Sequence, residues 1–242
     1  MRNEHRLVSG EAILPGTGYI ELLAQAANEY GFAGGFEIED LIFVSPLSIE
    51  DEATKSIRVR FEQDGKDYRA FICAADLNGG SDSVRLHAEA SVRLAPPSVL
   101  PPVQLSLGDT HWTTRRRAAD GAALRSAQED NIRFGSRWSV LRALSIGKGE
   151  ALAQLSLSDD YAGDIETGLR FHPALLDIAT GYAMELIEGY ASSGVLWAPM
   201  SYGSIRIYEN LPQQVLSHVR LSKGGNSGPD YSAFDVTITA LD

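Results

Sequence analysis

PGTGYIELLAQAANEY (15–30) and PALLDIATGYAMELIEGY (173–190) decide the reading of the fold. Each is a helix-length apolar pattern opened by proline, and each precedes alternating strand-like runs. In the first, Ile20, Leu23, Ala24 and Ala27 share one stripe, and Gly31 follows as a stop signal. The second is apolar nearly all round, as a buried helix should be. Proline is harmless in a first helical turn, where its missing N–H has no partner to lose. After the first helix comes SIRVRFEQDGKDYRAFICAA (56–75), in which DG marks a hairpin turn. After the second comes SHVRLSKGGNSGPDYSAFDVTITA (217–240), with GGNSGPD as the turn. The pairs VRF/VRL and YRAF/YSAF recur in the same order. A helix followed by a strand meander, used twice, points to an internal duplication. The unit implied is a long helix wrapped by a curved antiparallel sheet, an α+β architecture. The match is incomplete: the first half has a further strand, VRLHAEASVRL (84–94), whereas the second runs only to TITALD.

Between the halves, APPSVLPPVQLS (95–106) carries four prolines and reads as a stiff linker. The expected division is a first half over 1–95, a linker over 96–110 and a second half over 111–242. The basic stretch TTRRRAADGAALRSAQED (113–130) reads as a surface helix. Its Arg115–Arg117 cluster is either a solvated face or a docking patch for an acidic partner.

Composition narrows the function classes. The formal charge of −11 argues against nucleic acid, whose phosphates call for a surplus of Lys and Arg. The single cysteine, Cys73, excludes a disulfide framework and fits a reducing cytoplasm. No apolar run reaches the ~18–20 residues of a membrane span, so neither a membrane nor a secretory route is expected. No two of the five histidines, His5, His87, His111, His172 and His218, have metal-ligand spacing, so no metal is expected. His87 and His218 lie within alternating runs and read as ordinary strand residues. GTG (16–18) lacks the lysine of a phosphate loop and the spacing of a dinucleotide fingerprint.

Two segments carry more chemistry. In EHRLVSGEAILPGTGYIELL (4–23), a histidine precedes a glycine and then a Pro-Gly turn that opens a helix. In FHPALLDIATGYA (171–183), Asp177 lies one turn inside a very apolar helix. A carboxyl there must face a cavity, hold its proton or satisfy nearby N–H groups.

Together these segments resemble the dehydratase domains of modular polyketide synthases. The family has a His-x-x-x-Gly-x-x-x-x-Pro stretch in its first half and Asp-x-x-x-Gln/His in its second. Here these are HRLVSGEAILP (5–15) and HPALLDIATG (172–181). RFGSRW (133–138) is similar to the family's Tyr-Gly-Pro-x-Phe motif, and LWAPMSYGSIRIY (196–208) to its Leu-Pro-Phe-x-Trp stretch and following strand. The chain departs from the pattern. Four residues separate His5 from Gly10 instead of three, which predicts a bulge or shifted register. Gly181 stands where the family has Gln or His, and Phe134 where it has Tyr.

The resemblance implies a double hot-dog fold and the elimination of water from a 3-hydroxyacyl thioester. The substrate would be carried on the phosphopantetheine arm of an acyl carrier protein, with no cofactor. It also implies other synthase domains as partners and allows a homodimer. His5 and Asp177 are the implied catalytic pair. A neutral imidazole, with an ordinary pKa of about 6.5, suits removal of the C2 proton, and a protonated Asp177 would donate to the departing hydroxyl. Gly16 and Gly18 are expected to admit substrate to the backbone at the helix start, whose amides would stabilise charge on the thioester oxygen. Phe134 and Gly181 are expected to line the substrate site. The departures leave open a double-bond isomerase, a cyclase, or an inactive acyl-binding or scaffolding module. Isomerase-type relatives typically lose the aspartate, which is retained here.

Overall fold

The computed structural model describes residues 4–32, 34–51, 53–75, 84–95, 112–190, 194–223 and 230–241. The expected linker and most of the GGNSGPD turn lie outside the described residues. Along the chain run β1 (His5–Leu7), β2 (Ala12–Ile13), α1 (Gly18–Glu29), β3 (Phe36–Phe43), β4 (Ser48–Ile49), β5 (Ile57–Asp64), β6 (Asp67–Ala75) and β7 (Val84–Arg93). There follow β8 (Thr114–Arg117), β9 (Ile132–Phe134), β10 (Leu141–Ile146), β11 (Glu150–Ser156), α2 (Ala162–Glu166), α3 (Pro173–Gly181), β12 (Ser201–Ile207), β13 (Gln214–Leu221) and β14 (Phe234–Ala240). Two compact units result, one of Arg2–Leu100 with Ala198–Asn210, the other mainly of Pro101–Trp197 with Leu211–Asp242.

The first unit is built on a five-stranded antiparallel sheet in the order β12-β3-β7-β6-β5. The helix stripe read from the sequence is its buried face: Tyr19, Ile20, Leu23, Ala24 and Ala27 all point inward. Along β6 burial alternates, with Ala70, Ile72 and Ala74 inside, as a strand with one covered face requires. The DG turn joins β5 to β6 with Asp64 opposite Asp67 and Gly65 at φ +63°. That conformation suits glycine at the first central position of a two-residue hairpin turn.

Strand β12 departs from the expected halves. It was assigned to the second, yet it pairs along β3 from Ser201↔Ile42 to Ile207↔Phe36. The physical reason is edge closure: β12 satisfies backbone groups of β3 that would otherwise lie open.

The second unit has its own five-stranded antiparallel sheet, β14-β13-β11-β10-β8. Ala174, Leu175, Ile178 and Ala179 of α3 pack in one core with Leu144, Ala151, Ala153, Leu155, Val215 and Val219. The two hairpins matched by sequence both form, but with different neighbours. β5 lies at a sheet edge, whereas β13 sits between β14 and β11.

Two expectations are corrected here. The second helix is α-helical only over Pro173–Gly181 and tightens to a 3-10 turn over Tyr182–Leu186. Tyr182 is drawn into the core, where its hydroxyl donates to the Ser217 carbonyl and lies 3.2 Å from the Ala151 carbonyl oxygen. The basic stretch 113–130 is not a helix. It forms β8, a turn with Gly121 at φ +76°, and a 3-10 turn over Ala127–Asp130. Pairing of β8 with β10 overrides local helix propensity, and glycine supplies the left-handed turn.

Candidate active site

His5 opens a short hairpin in which Arg6 pairs with Ala12. The Leu7 N–H bonds the Glu11 carbonyl at 2.9 Å, and the Gly10 N–H bonds the Leu7 carbonyl at 2.8 Å. Val8, Ser9 and Gly10 thus form a three-residue loop, with Gly10 at φ +101°. This is the turn-plus-left-handed-glycine geometry that absorbs one extra residue in a hairpin, and it accounts for the longer His5–Gly10 spacing. The His5 side chain is buried, and its Nδ1 lies 3.0 Å from the Ile13 carbonyl oxygen. A carbonyl can only accept, so Nδ1 carries the proton and Nε2 is the basic nitrogen.

Five residues beyond Ile13 the chain enters α1. The Gly18 N–H is spent on the Pro15 carbonyl at 2.8 Å and the Tyr19 N–H on Gly16 at 3.3 Å. The space beside both glycines is already filled. A Cβ at Gly16 would meet Pro199 Cγ at 2.7 Å, and one at Gly18 would meet Leu14 Cδ1 at 2.7 Å. Close packing within the protein therefore explains both glycines, and Gly18 is not an open donor as expected. The Gly16 and Thr17 amides remain candidates for an anionic oxygen.

In the other unit, Asp177 is buried on α3, and its Oδ2 accepts a hydrogen bond from Trp138 Nε1 at 2.8 Å. Trp138 stacks on Phe134, the rings nearly parallel at 5° with centroids 6.1 Å apart. The short 3-10 turn Ser136–Trp138 thus holds the carboxyl from one side, with Phe134 behind it. The same turn carries Arg137, whose Nε donates to Asp164 Oδ2 at 2.6 Å. Asp164 also accepts from His172 Nε2 at 3.2 Å. His172 immediately precedes α3 and is buried. Arg137, Asp164 and His172 therefore tie the Trp138 turn to the start of the helix that bears Asp177. This brace was not found in the sequence, although His172 and Trp138 lie in the quoted motifs.

Gly181 lies one turn beyond Asp177, on the same helical face. A Cβ there would come within 2.6 Å of both Cδ and Nε2 of Gln128. The carboxamide of Gln128 therefore occupies the volume that a side chain at 181 would need. The sequence offers no signal for this, since a glycine does not say what fills its place.

Electrostatics give a testable pH dependence. The Arg137 guanidinium, with a smaller contribution from His172, holds the Asp164 carboxyl below the usual carboxylate range. Burial depresses His172, offset in part by Asp164, and burial likewise depresses His87, whose Nδ1 contacts Ser45. Both histidines take up a proton less readily when folded than in the unfolded chain, where they protonate below about pH 6.5. The unfolded state then binds more protons, so stability falls as pH drops through that value. Asp164 acts in a separate window: its contribution is present above the ordinary carboxylate pKa and is lost at lower pH. Urea midpoints should fall between pH 7.5 and 5.5, and His172→Asn should flatten part of that slope. A midpoint that rises on acidification would contradict the assignment.

The structure thus gathers Asp177, Phe134 and Gly181 around α3 in one unit, and His5, Gly16 and Gly18 around the start of α1 in the other. Each unit joins a helix to an antiparallel sheet, and the class of protein defined is the double hot-dog fold.

Comparison with known proteins agrees. The "Polyketide synthase dehydratase N-terminal domain" family model matches residues 110–242, and the "Polyketide synthase dehydratase domain" model matches residues 3–75. The chain therefore belongs to the polyketide synthase dehydratase family. It is 21% identical over 245 residues to polyketide synthase PksM of Bacillus subtilis, covering 96% of this chain but 6% of PksM. It thus spans a small part of that relative's length. Among solved structures, a trans-AT PKS dehydratase domain from Brevibacillus brevis superposes with a TM-score of 0.79 at 18% identity, covering 99% of this chain and 83% of that one. An inactive CurJ dehydratase with a histidine replaced by phenylalanine gives 0.77 at 18% identity, covering 98% and 79%. Among the described residues, no helix is long and apolar enough to cross a membrane.

Proposed function

We propose that this domain eliminates water from a 3-hydroxyacyl thioester carried on the phosphopantetheine arm of an acyl carrier protein, giving the enoyl thioester. His5 Nε2 removes the C2 proton. The electron pair forms the C2–C3 double bond, and hydroxide leaves C3 as water with a proton from Asp177. Trp138 donates to Oδ2 of Asp177, so the acid proton is assigned to Oδ1. The Gly16 and Thr17 amides stabilise the negative charge that develops on the thioester oxygen. Phe134 supports Trp138 and borders the acyl chain. The single observation that carries this reading is the tether from His5 Nδ1 to the Ile13 carbonyl, 3.0 Å long, which presents the histidine as a base. The CurJ relative made inactive by replacing a histidine is consistent with a histidine in that role.

The remaining partners follow from the same reading. Relatives such as PksM are far longer than this chain, so other synthase domains would flank it in the cytoplasm. Arg115 and Arg117 are exposed on strand β8, at the sheet edge, while Arg116 pairs with Glu185. They offer a positive stripe to an acidic carrier protein.

Microscopic reversibility supplies the test. Given the enoyl thioester in oxygen-18-labelled water, the domain should place the label on C3 of the 3-hydroxyacyl product. An enoyl thioester that yields no labelled 3-hydroxyacyl product at equilibrium would contradict the proposal.

A further inference from the structure

We infer that Arg137 is a positioning residue for the reaction, acting through Trp138: it fixes the indole N–H that orients the Asp177 carboxyl. This inference rests on the dehydratase reading above and gives a role to a residue that reading leaves out.

The turn that carries the indole is slight. Trp138 ends the 3-10 turn Ser136–Trp138, closed by a bond from its own N–H to the Gly135 carbonyl at 3.0 Å. So short a 3-10 turn is weakly held by its backbone alone. The Tyr-Gly-Pro-x-Phe pattern does not account for its side chains. It leaves the place of Arg137 open and has Phe, which lacks an N–H, at the place of Trp138. Side chains supply the anchor. The Arg137 guanidinium lies over the Tyr161 ring, 4.4 Å from its centroid, and the hydroxyls of Tyr161 and Ser136 share a hydrogen bond. Arg137 Nε donates to Asp164 Oδ2 at 2.6 Å, and the two side chains are only 24% and 22% exposed. Such shielding spares the pair much of the screening that weakens a surface ion pair.

Asp164 ties this anchor to the acid. The same oxygen, Oδ2, accepts from His172 Nε2 at 3.2 Å, and His172 caps the start of α3, the helix that bears Asp177. One carboxylate oxygen therefore sets the position of both the turn that donates and the helix that accepts. The bond from Trp138 Nε1 to Asp177 Oδ2 at 2.8 Å closes the loop. A carboxyl free to rotate would offer its proton in the productive direction only part of the time. Holding Oδ2 on the indole leaves Oδ1 to carry that proton.

Arg137→Met keeps the stem and removes the guanidinium. With a 3-hydroxyacyl acyl carrier protein as substrate, it should lower kcat about tenfold at unchanged KM, as for an interaction realised in the transition state. Trp138→Phe should cost a similar factor, about that of one hydrogen bond. The two losses should not multiply. Added to Trp138→Phe, Arg137→Met should cost less than about twofold more, and Asp164→Ala should behave like Arg137→Met in both backgrounds. A second readout needs no turnover. In the nitrogen-15-labelled chain, the indole resonance that Trp138→Phe removes should shift in Arg137→Met and exchange faster with solvent, while those of Trp112 and Trp197 stay in place. Wild-type kcat in Arg137→Met, losses that multiply with Trp138→Phe, or an unmoved Trp138 resonance would overturn the inference. Failure of the dehydratase reading is told apart from this, because it appears as an inactive wild-type domain, and the indole resonance then decides the role of Arg137 by itself.

Discussion

A chain carrying His5→Ala is expected to lose dehydration and, with it, exchange of the substrate's C2 proton with solvent deuterium. Both depend on one step, removal of that proton by Nε2, and no second base is assigned to it. Loss of a positioned general base costs about 10²–10⁴-fold, and here it should take the rate to the limit of detection. The variant should still fold. The hydrogen bond from His5 Nδ1 runs to the Ile13 carbonyl, and a bond of that kind is worth about 1 kcal/mol net. Circular dichroism and the urea midpoint establish folding, and proton NMR in deuterated water follows exchange. A folded variant that dehydrates at full rate would remove His5 from the mechanism.

Asp177→Asn is expected to separate the two proton transfers. Asparagine preserves the shape and can still accept from Trp138 Nε1 through its carbonyl oxygen, but it has no acid proton to give. Dehydration should fall about 10²–10⁴-fold. If deprotonation precedes C–O cleavage and is reversible, C2 exchange persists in this variant; a concerted elimination loses both together. Exchange in Asp177→Asn with none in His5→Ala would assign base and acid individually. Unchanged dehydration by a folded Asp177→Asn chain would contradict the acid role.

What was legible in the sequence divides along the range of the interactions. The stripe of Ile20, Leu23, Ala24 and Ala27 could be read because a 3.6-residue period depends on near neighbours, and these residues are buried as expected. The DG turn was readable for the same reason. The repeat made a helix-on-sheet unit legible, and the double hot-dog fold came from the family resemblance carried by motifs spread along the chain. The pairing of β12 with β3 was not legible, because it joins residues about 160 positions apart through backbone groups that every residue has. The basic stretch 113–130 misled, since its composition favours a helix while β10 offers it a sheet edge.

The candidate site shows the same division. His5 and Asp177 stood out as residue types in motifs. What braces them did not, because Trp138 reaches Asp177 across 39 residues and Arg137 reaches Asp164 across 27. Gly181 read as a loss, and only the fold shows Gln128 in its place. Glycines 16 and 18 read as openings for substrate, whereas Pro199 and Leu14 fill the space beside them.

The central claim, that this domain removes water from a carrier-bound 3-hydroxyacyl group, is tested most directly by intact-protein mass spectrometry. A 3-hydroxyacyl acyl carrier protein is incubated with the wild-type domain, with His5→Ala and with Asp177→Asn. The account predicts loss of one water in the first sample and little or none in the other two over the same time. An unchanged mass with the folded wild-type domain, or conversion to a product of equal mass, would contradict it.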